Sequence, residues 1–168
     1  MNREKTRKLT TIAILVAMHI ILSRFLSYSV WNMKIGFDFL PVAVAAVVYG
    51  PAAAAVVGGV GDFIGAILFP IGPYFPGYTL SAALSGLVLG VFLHKGNSLP
   101  RVLGAVAVNQ WIISLLLTSF WISFTNLTPY WPMVATRIPQ CAIMTAVQLV
   151  VLTLLPRLLR GVKGGNRT

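Results

Sequence analysis

A chain of 168 residues that is 57% hydrophobic and 10% charged has too few polar groups to cover a water-soluble globule, which usually carries about 25% charged residues. Its net charge of +10 is not the signature of a nucleic-acid binder, because the cations lie in flanks and loops between apolar runs, as the positive-inside rule requires of a membrane protein. Lipid is therefore the solvent and every backbone group must bond internally. The near-continuous apolar runs then select helices over the alternating strands of a barrel.

The basic opening MNREKTRKL leads into an apolar run over residues 9–27. This run is too long for a signal-peptide core, and Leu22-Ser23-Arg24 offers no small-x-small cleavage site, so a retained first helix is expected. A polar, aromatic stretch follows over 28–34, then a short second segment, 35–49, that opens with Asp38 and Pro41. Gly50-Pro51 breaks the chain before a third segment over 52–69. The loop expected over 69–78 holds Pro70, Pro73 and Pro76, which fix φ and remove backbone donors. The fourth segment is 79–93, the fifth 101–124 and the sixth 133 to about 159, with a disordered tail expected over 161–168. The whole reads as one transmembrane domain over 1–168, an all-α bundle of six helices.

Charge tests whether the short second segment spans. With six spans and the amino terminus inside, Arg3, Lys5, Arg7, Lys8, Lys95, Arg101, Arg157, Arg160, Lys163 and Arg167 all lie on the inner side. Only Arg24, Lys34 and Arg137 fall in the outer half. Removing the second span would move the last six inner cations outside, against the bias. Both termini are thus expected in the cytoplasm, with the three loops rich in aromatics or proline facing outward.

Arg24, Asp62 and Arg137 lie within apolar runs, where ionisable side chains are expensive and mark a functional site or a buried pair. A structural Asp–Arg pair with the second arginine snorkelling is one reading. A single acid cannot neutralise both arginines, however, which leaves a cation for an anionic ligand. Thr136, Arg137 and Gln140 share a helical face, and Asn109, Gln110 and Ser114 add amides and a hydroxyl to the fifth segment. Gln148 reads as a bridge between helices, and His19 and His94, lacking partners at ligand spacing, read as structural. Tyr74, Phe75, Tyr78, Trp121, Trp31 and Trp131 serve either as an interfacial belt or as rings that stack on a flat solute. Small residues recur at four-residue spacing: Ala13 and Ala17, Gly61 and Gly65, then Ala82, Gly86 and Gly90. Such stripes let helices approach closely.

No Walker-type phosphate loop, metal-ligand cluster or nucleophile–base pair has convincing spacing, and the lone Cys141 forms neither an intrachain disulfide nor a zinc site. The candidate ligand-binding residues are Arg24, Asp62, Tyr74, Phe75, Tyr78, Ser81, Asn109, Trp121, Arg137 and Gln140, with no catalytic residue, metal or cofactor.

Several stretches resemble a known family: LSRFLS, IGFDFLPVAVA, YGP, GDFIGAILFPIGPYFPGYTLSAALSG and TRIPQ. Over nearly its whole length the chain is similar to the substrate-binding (S) components of energy-coupling factor (ECF) transporters, closest to the folate-specific group. The FPGYTLSAALSG portion is common to S components for other substrates, whereas LSRF, FPIGPYFPG and TRIPQ tilt the likeness toward folate. The resemblance implies a bacterial cytoplasmic-membrane protein that captures folate from outside. It implies a transmembrane coupling subunit and two ATP-binding subunits as partners, with delivery inward by rotation within the membrane on docking. Ala13 and Ala17 match the family's contact motif for the coupling subunit. Alternatives are an S component for another flat solute (riboflavin, thiamine or a queuosine precursor), a membrane-embedded enzyme short of acid/base groups, and a purely structural helical subunit.

Overall fold

The computed structural model describes residues 3–30, 33–70, 73–96 and 98–164. Trp31, residues 71 and 72 of the expected loop, and 165–168 of the expected tail lie outside them. Every spanning element is helical. Five helices are long and apolar enough to cross a membrane, and a sixth apolar helix, Phe39–Tyr49, is shorter.

Helix α1, Arg3–Arg24, starts well before the apolar run, because its first turns are built from charged residues that favour helix. Thr10 and Thr11 return their hydroxyls to the carbonyls of Thr6 and Arg7 at 2.9 Å, so neither is left unsatisfied. The polar stretch that follows is not an open loop. Strands β1, Tyr28–Val30, and β2, Met33–Ile35, form an antiparallel hairpin with Ser29 opposite Lys34, so the all-α reading omits one small sheet. Helix α2, Phe39–Tyr49, is 11 residues long and rises only about 16 Å, roughly half a bilayer.

Gly50 joins α2 to α3, Pro51–Leu68, in a single residue. Its φ of 91° is open to glycine, its N–H caps the carbonyls of Ala45 and Ala46, and Pro51 starts α3 pre-organised. Helix α4, Pro76–Leu93, begins earlier than expected because Pro76 takes a first-turn position, which shortens the loop to 69–75 and puts Tyr78 on the helix. Helix α5, Leu99–Asn126, carries a π-helical middle, Val108–Leu117, where an ordinary helix was expected. Helix α6, Tyr130–Gly164, takes Pro132 into its first turn and continues to Gly164, into the expected tail.

In lipid, helices gain little from the hydrophobic effect and associate by close packing. The α3–α4 pair shows this most directly. A Cβ on Gly58 would fall 2.5 Å from the carbonyl oxygen of Ala82, one on Gly86 would fall 2.2 Å from that of Ala54, and one on Gly90 would fall 2.2 Å from Cα of Pro51. The two backbones therefore touch from Pro51 to Gly58 on α3 and from Ala82 to Gly90 on α4. The apolar core, with Leu15, Val57, Leu89, Leu93, Val102, Val106, Leu152 and Leu155, fills the half of the bundle remote from the hairpin. Buried polar side chains, among them Ser81, Ser119, Arg137 and Gln140, collect in the hairpin half.

Gly86→Val should therefore abolish the monodisperse folded protein, because the obstacle is backbone and cannot move aside. Gly59→Ala meets only the Cβ of Ala83 at 3.1 Å and should cost no more than about 1–3 kcal/mol. Size-exclusion profiles and thermal melts of the two variants check this; equal behaviour would contradict it.

Candidate functional site

In the hairpin half the helices enclose a cavity of about 810 Å³, within the range that holds a drug-sized ligand. It lies against the amino-terminal end of α2, where Asp38, Phe39 and Val42 form part of its wall. Of the residues singled out from sequence, Arg24, Asp62, Tyr74, Tyr78, Ser81, Asn109, Arg137 and Gln140 line it; Phe75 and Trp121 do not.

Those two rings sit behind the wall as an anchor. Phe75 packs against Trp121 at 5.4 Å, Phe124 at 5.8 Å and Tyr78 at 6.1 Å between ring centroids. Trp121 donates its indole N–H to Ser81 Oγ at 3.2 Å, and the Tyr78 hydroxyl lies 3.0 Å from that of Thr125. The cluster fixes the start of α4 to the end of α5, beside Pro73 and Tyr74, which line the cavity with Pro70. Gly77 makes room for it, since a Cβ there would stand 2.5 Å from the Trp121 ring. Of the other aromatics weighed from sequence, Trp131 is 76% exposed and suits a belt position.

The three ionisable residues divide as the acid count requires. Asp62 takes Arg24, with 3.6 Å between Oδ1 and Nη2, and its other oxygen accepts the Thr79 hydroxyl at 3.0 Å. The Thr79 hydroxyl in turn lies 3.3 Å from that of Tyr74, so α1, α3, α4 and the loop meet in one chain of contacts. Gly65 gives the Arg24 side chain its place on α3. Arg137 is different. It is 4% exposed and donates through Nη1 to Ser119 Oγ at 3.1 Å, Nε has no partner, and no carboxylate pairs with it among the described residues. It does not snorkel. A cation held this way in a low-dielectric interior raises the energy of the empty protein and lowers that of a complex with an anion.

Deeper along the same face of α6 follow Gln140, Met144 and Gln148, all lining the cavity. Gln148 both accepts from Asn109 Nδ2 at 3.4 Å and faces the cavity, so the bridging role expected of it is only half of its position. Asn109 Oδ1 is buried without a partner. The π-helical turns of α5 bring Asn109 and Gln110, then Ile113 and Ser114, then Thr118 to the cavity; such wide turns are rare and recur at functional sites. Sequence reasoning also missed His19, Asp38 and Ser85 in the wall. For His19 the sequence carries no signal, since Arg24 is five residues on and off its helical face; only the packing of α1 on α3 reveals it.

Comparison with known proteins agrees on an S component of ECF-type transporters, while the substrates named differ. A family model described as the S component of the ECF-type riboflavin transporter matches residues 3–160. A folate transporter FolT of Clostridium novyi (strain NT) is 33% identical over 150 residues, spanning 89% of this chain and 87% of that protein. A folate transporter FolT of Leuconostoc mesenteroides is 32% identical over 76% of this chain and 70% of that protein. Among solved structures, FolT bound with folic acid superposes with a TM-score of 0.84 at 29% identity, covering 89% of this chain and 92% of that one. An S component for biotin, at 19% identity and a TM-score of 0.69, shares the fold over 94% of each chain.

Replacing Arg137 with Met should raise the melting temperature of the ligand-free protein, because it removes a buried cation that no acid compensates. The gain should be roughly 1–4 kcal/mol. A melt of the unliganded variant in detergent checks the sign; a lower melting temperature would mean that Arg137 is a structural strut.

Proposed function

The chain belongs to the S components of ECF-type transporters, multi-pass membrane proteins that bind a substrate for transport rather than transform it, and from that premise we propose that it captures folate. The observation that carries this reading is the buried, acid-free Arg137 in a polar cavity of about 810 Å³. Folate brings carboxylates to such a cation. Riboflavin, named by the matching family description, brings none, and thiamine is itself a cation. The folate transporters among the relatives point the same way. The glutamate end of the ligand lies toward Arg137, and the heterocycle lies deeper, against the open acceptor of Asn109 and the amide of Gln148. Pro70, Pro73 and Tyr74, which line the cavity, stand at its entry in this reading.

The hairpin end faces outward in this reading, and both termini are cytoplasmic. Arg3, Lys5, Arg7 and Lys8 at the start of α1 and Lys95 and Arg101 beyond α4 stand at the opposite end, as the positive-inside rule asks. Energy comes from partners: a transmembrane coupling subunit and two ATP-binding subunits, since the chain carries no phosphate loop of its own. Ala13 and Ala17 are exposed on α1 while Leu15 and His19 are buried, so the small-residue strip faces away from the bundle, where a partner helix can approach.

Titration of the purified protein with folate, riboflavin, thiamine and biotin tests the ligand. Folate alone should shift the melt, by about 2.7 kcal/mol at a hundredfold excess over Kd; a shift with riboflavin and none with folate would overturn the assignment. Ala13→Leu with Ala17→Leu should leave that binding intact while uptake by cells holding the coupling subunits collapses. Loss of folding and binding together, or unimpaired uptake, would refute the docking role.

A further inference from the structure

His19 is 5% exposed, on the inner face of α1 between Leu15 and Ser23. Its ring is gripped on two edges. Nδ1 lies 2.8 Å from the carbonyl oxygen of Asp38, at the start of α2. The Cδ2 edge presses on Gly61 of α3, where a Cβ would stand 2.5 Å away. A carbonyl oxygen only accepts, so the hydrogen of this bond is on Nδ1. In the neutral ring that leaves Nε2 an acceptor. His19 lines the cavity, and among the described residues Nε2 makes no hydrogen bond.

We propose that His19 is a specificity-determining residue of the binding cavity, its Nε2 held as a fixed acceptor for an N–H of the bound ligand. The proposal rests on the folate reading above and adds to it a contact from α1. The feature that points at a ligand is an imidazole nine-tenths buried in the cavity wall with an uncommitted nitrogen; the glycine on the facing helix seats the ring. His19 stands about 7.5 Å below Arg24 along the helix axis, and so at the depth of the heterocycle and its linking amine rather than of the carboxylates. The cations nearer the mouth, Arg24 and Arg137, offer only donors. An acceptor at this level therefore discriminates: it favours a ligand with an N–H at that height and opposes one whose corresponding atom carries a lone pair or a methyl group.

Two variants separate tether from reader. His19→Asn places an amide N–H where Nδ1 was and keeps the bond to Asp38, but has nothing at the Nε2 position. His19→Gln reaches the Nε2 position with an acceptor and gives up the tether. The measurements are the melting temperature of the ligand-free protein and the folate Kd by titration. His19→Asn should melt with the parent and bind folate roughly three- to tenfold more weakly, the loss of one neutral hydrogen bond. Folate affinity equal to the parent's, or a loss that follows a lowered melting temperature, would overturn the proposal in favour of a purely structural tether. Should His19→Asn fail to fold, His19→Gln decides: parental affinity at a lowered melting temperature supports the reader role, and weakened binding contradicts it. Failure of the folate reading itself is visible first, as absence of binding by the parent.

Discussion

The structure is organised by the cost of a charge in hydrocarbon. Asp62 is committed to Arg24, and Arg137 is buried with a serine hydroxyl in place of a carboxylate. A bundle that needed only to be stable would place an apolar residue at that position, since isolated buried cations are among the most expensive groups a membrane interior can hold. The cavity explains the arrangement. In the function proposed above, ligand carboxylates meet the guanidinium that no protein carboxylate pairs with among the described residues.

Close backbone contact makes such a cavity affordable to the fold. The α3–α4 pair is fused through Gly58, Gly86 and Gly90, which gives one wall that does not depend on side-chain packing. The same property recurs at Gly61 and Gly65, but there the space is filled by His19 and Arg24 of α1 rather than by another backbone. Glycines thus serve two ends on α3: Gly58 meets α4, while Gly61 and Gly65 seat polar side chains of the cavity. The short α2 and the aromatic cluster behind Tyr78 close the remaining sides.

The six helices and the division of polar residues were legible in the sequence because they follow from lengths and from electrostatics, although Phe39–Tyr49 is shorter than the span expected there. Arg24, Asp62 and Arg137 stood out as charges within apolar runs, and the insufficiency of one acid for two arginines was simple arithmetic. The hairpin was not legible: three-residue strands are too short to show a period. Nor was the π-helical stretch of α5, whose residues are those of any apolar helix. Phe75 and Trp121 were expected at the site and do not line the cavity, because a pattern of aromatics does not say which ring faces inward. His19 was assigned a structural role for want of a sequence neighbour; its partners come from α2 and α3 and are visible only in three dimensions.

The central claim is that the uncompensated guanidinium of Arg137 exists to meet ligand carboxylate. The most direct measurement compares the affinities of folate and of a pterin without carboxylates for the parent and for Arg137→Met. Folate affinity should fall about ten- to hundredfold, as expected for a lost charge-assisted hydrogen bond, while the carboxylate-free pterin binds no worse, so that the preference for folate collapses. Equal losses for both ligands, or none for either, would contradict the account.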